Sequence, residues 1–166
     1  MALRGRWRSY SALFIALRGI NGRAGGYYHD LGGRIYPRLI RPEDGLKVQL
    51  PFACLPLVET TPQYETTDSG LVACTWRLSV FAFVNETQRG LDSDISEQCL
   101  KLHDDIQRCV LLDPKLGGTA QDTRWVNGGG ELAAVLPGEQ YGELEVPLEI
   151  VNFYAVADLG PAAIAA

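Results

Sequence analysis

Two histidines, four cysteines and one adjacent pair of aspartates are the residues of this 166-residue chain whose types suit chemistry. Nucleophilic catalysis needs a serine or cysteine within reach of a usable base, and no G-x-S-x-G elbow is present. His29 lies in a glycine-dense stretch and reads as an ordinary loop histidine, while His103 falls on the outer side of a helix. Cys54, Cys74, Cys99 and Cys109 form no C-x-x-C motif and sit among apolar neighbours, the pattern of reduced core thiols in a cytoplasmic protein. Cys99 and Cys109 share a helical stripe but stand about 15 Å apart along it, too far to share a metal ion. Asp104 and Asp105 diverge around the same helix and cannot work as a paired acid and base. The expectation is a protein with no catalytic, cofactor-binding or metal-ligating residues, and not an enzyme.

The elements that would position these residues are led by the stretch from Ser93 to Gly118. Ile95, Cys99, Leu102, Ile106 and Cys109 or Val110 recur at steps of four and three, which puts them on one buried stripe of a helix. Ser93 or Asp94 suits the N-cap, with Glu97 completing a capping box. Glu97 with Lys101, and Asp104 with Arg108, are i,i+4 pairs that mark the wet face. Asp113-Pro114 stops the helix and Gly117-Gly118 allows a reversal. Near the N-terminus, a basic leader over 1–8 enters a second helix in which Trp7, Tyr10, Leu13, Phe14, Leu17 and Ile20 keep helical spacing.

Between the helices the pattern turns to loops and strands. The G-x-x-G-x-x-G-G run from Gly19 predicts a loop hugging another surface, and it lacks the strand and spacing of a phosphate cradle. Tyr27 and Tyr28 on that loop read as contact residues. Arg34 to Ile40 predicts a short strand that Pro37 keeps at a sheet edge, and Leu46 to Glu59 predicts an extended segment bent at Pro51 or Pro56. The polar run from Thr60 to Gly70 reads as an exposed connection. Leu71 to Val84 is the strongest strand: Val72, Cys74, Trp76, Leu78, Val80, Ala82 and Val84 form one face. Phe81 and Phe83 on the other face must also be covered, by the first helix or by another subunit. Thr119 to Tyr141 reads as a long glycine-rich arm or hairpin, Leu144 to Ala155 as a closing strand with Pro147 at an edge or bulge, and 156–166 as an apolar tail. The expected fold is α+β: a mostly antiparallel sheet of about four strands carrying two main helices, in a single domain over 1–166.

Charge is divided unevenly along the chain. Residues 1–41 hold eight arginines and one acid, and residues 42–166 hold seven basic residues and nineteen acids, giving +7 and −12. A basic end on an acidic body suits nucleic acid, or copies of the same chain packed basic to acidic, and the overall −5 favours the second. The apolar run after the first arginines is short and interrupted by Arg18, so neither a secretory signal nor a membrane span is expected.

The succession of helix, GxxGGYYHDLGGR loop, strands, amphipathic helix ending in LLDPKLGG, and final strand resembles the tail terminator and tail-completion proteins of tailed bacteriophages. More loosely, it is similar to other head–tail neck proteins. The resemblance implies a structural virion protein, assembled in the host bacterial cytoplasm. It would form a ring, usually a hexamer, on the tail tube and join it to neck or connector proteins, with contact to a sheath where the tail has one. DNA would pass through its lumen without specific binding, and no membrane is involved. Arg4, Arg6, Arg8, Tyr27, Tyr28, Arg34 and Arg38 are the expected subunit or partner contacts, chosen on charge and aromaticity. Two other readings share these features. One is another neck, tube or baseplate subunit; the other is a small nucleic-acid-binding module stacking bases on Trp7, Tyr10, Tyr27 and Tyr28.

Overall fold

A computed structural model describes residues 2–44, 48–57, 61–85, 95–126, 131–132 and 141–155. The spine of the fold is a pair of fifteen-residue antiparallel strands, β4 (Leu71–Asn85) and β7 (Tyr141–Ala155), in register from Leu71 against Ala155 to Asn85 against Tyr141. At about 3.3 Å per residue each would run close to 50 Å if straight. On β4 the alternating residues from Val72 to Val84 are buried, as the period-two pattern requires.

Seven strands, rather than about four, make up the sheet among the described residues, in the order β1-β2-β4-β7-β5 with β3 on β4 and β6 on β7. The additional strands are short: β1 (Ile35–Tyr36), β2 (Phe52–Cys54), β3 (Gln63–Thr66), β5 (Asp122–Trp125) and β6 (Glu131–Leu132). Segments this short carry too few alternations to stand out in sequence. Only β1 with β2 is parallel. The polar run after Thr60 is therefore half of a hairpin, and the first part of the expected arm is a paired strand; 127–130 and 133–140 lie outside the described residues, as does the 156–166 tail.

Pro147 marks where β5 ends. Val126 donates its N–H to the Pro147 carbonyl at 3.2 Å, but proline has no N–H to return, so the ladder stops after Trp125. β6 resumes pairing with β7 three positions out of step with β5, Glu131 facing Glu145 and Leu132 facing Leu144.

Both helices cover one face of the sheet. α1 spans Ala2–Arg18, so the expected leader over 1–8 is helical apart from Met1, which lies outside the described residues. Its buried residues are Ser9, Tyr10, Leu13 and Leu17, followed by Ile20 beyond its end. Trp7 is 59% exposed and stacks on Tyr10 from outside, with ring centroids 5.5 Å apart. Gly5 makes room for Tyr154 where α1 crosses β7, since a Cβ there would stand 2.6 Å from the Tyr154 hydroxyl and the ring would have to shift.

α2 spans Ile95–Leu112 and buries the expected stripe of Ile95, Cys99, Leu102, Ile106, Cys109 and Val110. The expected cap, Ser93 or Asp94, falls outside the described residues. At the other end, Gly117 donates its N–H to the Asp113 carboxylate, and Leu116, Gly117 and Gly118 adopt positive φ to reverse the chain. Gly142 on β7 lets α2 seat closely, since a Cβ there would collide with Cys99 Sγ.

Within the chain, Phe83 is buried and Phe81 partly buried away from α1. They belong to a second, smaller apolar cluster with Ile40, Phe52 and Cys54, capped by the segment around Tyr36, Val48 and Leu50. Phe52 stacks on Phe83 with centroids 4.8 Å apart. All four cysteines are buried thiols, none of them in a disulfide. Burial pushes the Cys109 thiol up to about 11, against the opposing effect of a Tyr27 hydrogen bond, which leaves it a packing group.

Candidate contact site at the loop and second helix

The glycine-dense loop after α1 folds back on itself through an isolated antiparallel bridge between Asn21 and Asp30. Gly22 donates to the His29 carbonyl at 2.8 Å, Tyr27 to the Gly22 carbonyl at 3.0 Å, and Leu31 to the Ile20 carbonyl at 3.0 Å. Gly22 and Gly26, with φ of +71° and +76°, supply backbone angles that other residues adopt only at a cost. Buried Leu31 fixes one end of the loop in the core. Arg34, three residues on, ties down the same end, donating to the Asp30 carbonyl at 2.6 Å and to the Pro51 carbonyl at 2.9 Å.

This loop is anchored to α2 by a buried polar cluster. Asp105, 1% exposed, accepts from the Tyr28 backbone N–H at 2.8 Å, from the His29 backbone N–H at 2.8 Å, and from His29 Nδ1 at 3.0 Å. His29 Nε2 meets Gln98 Oε1 at 3.1 Å. Asp105 and His29 thus have the relative placement of a base and its orienting carboxylate, but Gln98 stands where a nucleophile would be needed. Both ring nitrogens are engaged inside the protein. The arrangement holds a loop against a helix, and it offers no proton-transfer path to an outside group.

Above the cluster lies an open pocket of about 530 Å³ lined by Arg23, Gly26, Tyr27, Tyr28, Gln98 and Lys101. Lys101 Nζ sits 5.9 Å from the Tyr28 ring centroid and 2.6 Å from Glu97 Oε1, the expected i,i+4 pair. Arg108, expected to pair with Asp104, lies instead over the Tyr27 ring at 5.9 Å. Burial raises the Tyr27 pKa, assisted by Cys109, so its hydroxyl stays neutral. What the pocket presents outward is an aromatic ring, Tyr28, with cations around it.

The seven expected contact residues therefore separate. Tyr28, Arg8 and Arg38 are exposed. Tyr27 is a buried residue packed under Arg108, because the loop folds inward at that point. Arg34 staples its own loop, and Arg6 is half-buried, its charge felt by Cys74, Tyr64 and Tyr154. Burial pushes Tyr154 up to about 12 despite Arg6. The Arg4 side chain lies outside the described residues. His29 is a structural anchor rather than an ordinary loop histidine. Its partners had a readable signal: Gln98 and Asp105, with Leu102 and Cys109, fall at i, i+4, i+7 and i+11, so two polar residues occupy the flank of an apolar stripe.

The opposite face of the sheet has another character. Glu143, Glu145 and Glu149 on β7 alternate with buried Leu144, Val146 and Leu148, and so face away from the helices. Glu149 is held between Arg77 and Arg124, with bonds of 3.2 Å, 2.8 Å and 2.6 Å. Glu143 lies 3.8 Å from Arg41, and the Tyr141 hydroxyl donates to Glu43 beside it.

Among the described residues, no group of three or more His, Cys, Asp or Glu is placed to hold a metal ion. No described helix is long and apolar enough to cross a membrane. Compared with known protein families the chain matches none, and no curated protein matches it either.

Proposed function

We propose that this chain is a structural subunit of a tailed-bacteriophage virion, a ring-forming tail terminator that caps the tail tube and joins it to the neck. The observation carrying this reading is the division of charge between two sides of one small fold. Exposed Arg8 and Arg18 on α1 and Arg23 on the loop lie on the helix side, whereas Glu143 and Glu145 face out from the sheet. Surfaces of opposite sign on opposite sides suit a head-to-tail contact between copies, and such a contact generates a closed ring when its rotation closes. The buried His29 anchor supports a binding rather than a catalytic role, since it rigidifies a contact loop without presenting a base. In this reading the partners are further copies of the chain, the tail tube and the neck proteins, and DNA crosses the lumen without specific binding.

Native mass across a concentration series tests the reading. A hexamer of 18.2 kDa subunits has a mass near 109 kDa, and a closed ring in particle images is the expected result. A species that stays monomeric throughout contradicts it.

A nucleic-acid module is favoured by one observation, the exposed Trp7 and Tyr28 beside Arg8 and Lys101. It is weakened by the burial of Tyr10 and Tyr27, which removes half of its stacking residues. Binding to single-stranded DNA that falls steeply with salt is its signature.

A further inference from the structure

The outer side of α2 is not the uniformly wet face that its charged pairs suggest. Leu100 is half exposed, and Leu111 and Leu112 are each 66% exposed. Leu111 follows Leu100 by eleven residues, close to three full turns, so both lie on one line along the helix. Leu112 stands in the same relation to Lys101, on the line that borders the Tyr28 pocket. Large apolar side chains aligned on a surface and rimmed by charge are the composition of a protein interface. Arg23, Lys101 and Arg108 outnumber Glu97 and Asp104 there, so the rim is net positive.

The sheet face on the far side of the molecule is complementary. Glu143 and Glu145, each half-buried, project from it with Glu43 nearby and Arg41 beside them, while Arg77 and Arg124 farther along the same face are paired to Glu149. Farther along β7 the same face offers Val151 and Phe153, the latter 44% exposed. Apolar surface and charge of opposite sign therefore occur on both sides of one chain.

We propose that the outer face of α2, with Tyr28 and the Arg23–Lys101 rim, is the seam that receives the acidic sheet face of a second copy around Glu143 and Glu145. The proposal rests on the ring-forming reading and names the surfaces that meet. Because the two surfaces lie on opposite sides of the subunit, the contact is heterologous and repeats from copy to copy. The Asp105–His29–Gln98 anchor then acts as a positioning device, holding Tyr28 beside α2 before the neighbour arrives.

The test uses charge reversal on each side, followed by both together. Native mass is measured against concentration for the full chain, for Arg23→Glu with Lys101→Glu, for Glu143→Lys with Glu145→Lys, and for all four. Circular dichroism and thermal melting confirm that each variant is folded. Leu111→Ser, at an exposed position, supplies a variant that leaves every charge in place. The expected result is that each reversed pair, and Leu111→Ser, raises the concentration for half-assembly by at least about tenfold, and that the fourfold variant recovers most of the loss. A parent that assembles while neither the reversed pairs nor Leu111→Ser shifts its midpoint overturns the seam and leaves the ring reading intact. Loss on both sides without recovery in the fourfold variant overturns the pairing of these two faces. A parent that stays monomeric overturns the seam and the ring reading together.

Discussion

Asp105 and Glu149 are two carboxylates with the same number of hydrogen bonds and different consequences. Each accepts three, Asp105 from two backbone N–H groups and His29, Glu149 from the guanidinium groups of Arg77 and Arg124. The donors of Asp105 are fixed in a folded loop and buried with it. Those of Glu149 sit on long side chains about 60% exposed, which water can solvate if the carboxylate is removed. The worth of such a hub depends on whether its donors have somewhere else to go, more than on how many bonds it makes.

The largest expected effect follows from that difference. Asp105→Ala leaves the Tyr28 and His29 amides and the His29 ring without a buried acceptor, and we expect a loss of about 3–5 kcal/mol in urea unfolding. Asp105→Asn keeps an acceptor for the amides and should lose less. If Asp105→Ala cost no more than a surface substitution, the loop would have rehydrated and the contrast with Glu149 would fail.

Asn152 provides the neutral case between the two. Its side-chain oxygen accepts from Trp76 Nε1 at 2.8 Å, and its amide donates to Ser9 Oγ and the Thr119 carbonyl, both at 2.9 Å. Ser9 also donates to that carbonyl at 2.8 Å, so one side chain links α1, β4, β7 and the turn before β5. Asn152→Ala should cost about 2 kcal/mol by chemical unfolding, mostly through the orphaned Trp76 N–H and the cavity left behind. A value matching that for Asp105→Ala would show that burial, and not charge, sets the size of both.

These hubs also mark where the sequence was legible. Period-two runs exposed β4 and β7, and a single apolar stripe exposed α2, because each pattern depends only on near neighbours in the chain. Short β2, β3 and β5 were hidden because they take their structure from pairing with the long strands. The coverage of Phe81 by the segment before β4, and the burial of Tyr27 and His29, depend on contacts across tens of residues. Asp105 is adjacent to Asp104 and identical in type, yet one is buried and the other exposed. Only its place on the flank of the α2 stripe distinguished it, and the three N–H groups that make its burial tolerable come from a loop 76 residues and more away.

The smallest effect, and the one that separates the two carboxylates by pH, belongs to Glu149. Partial burial favours its neutral form, but hydrogen bonds and charge from Arg124 and Arg77 outweigh this and hold its pKa below the usual 4.5. A carboxyl whose folded pKa is depressed contributes stability that is fully present above its unfolded value. That contribution is lost as pH falls below about 4.5 and through the folded pKa. Glu149→Gln removes the contribution at every pH, so parent and variant should differ by roughly 0.5–1 kcal/mol at pH 7 and converge in acid. Unfolding free energies measured for both proteins from about pH 7 down to about pH 3 would show the curves closing below the ordinary carboxylate value. Parallel curves would mean that Arg77 and Arg124 solvate as readily without the carboxylate as with it, and that Glu149 is a surface ornament of the sheet rather than a hub.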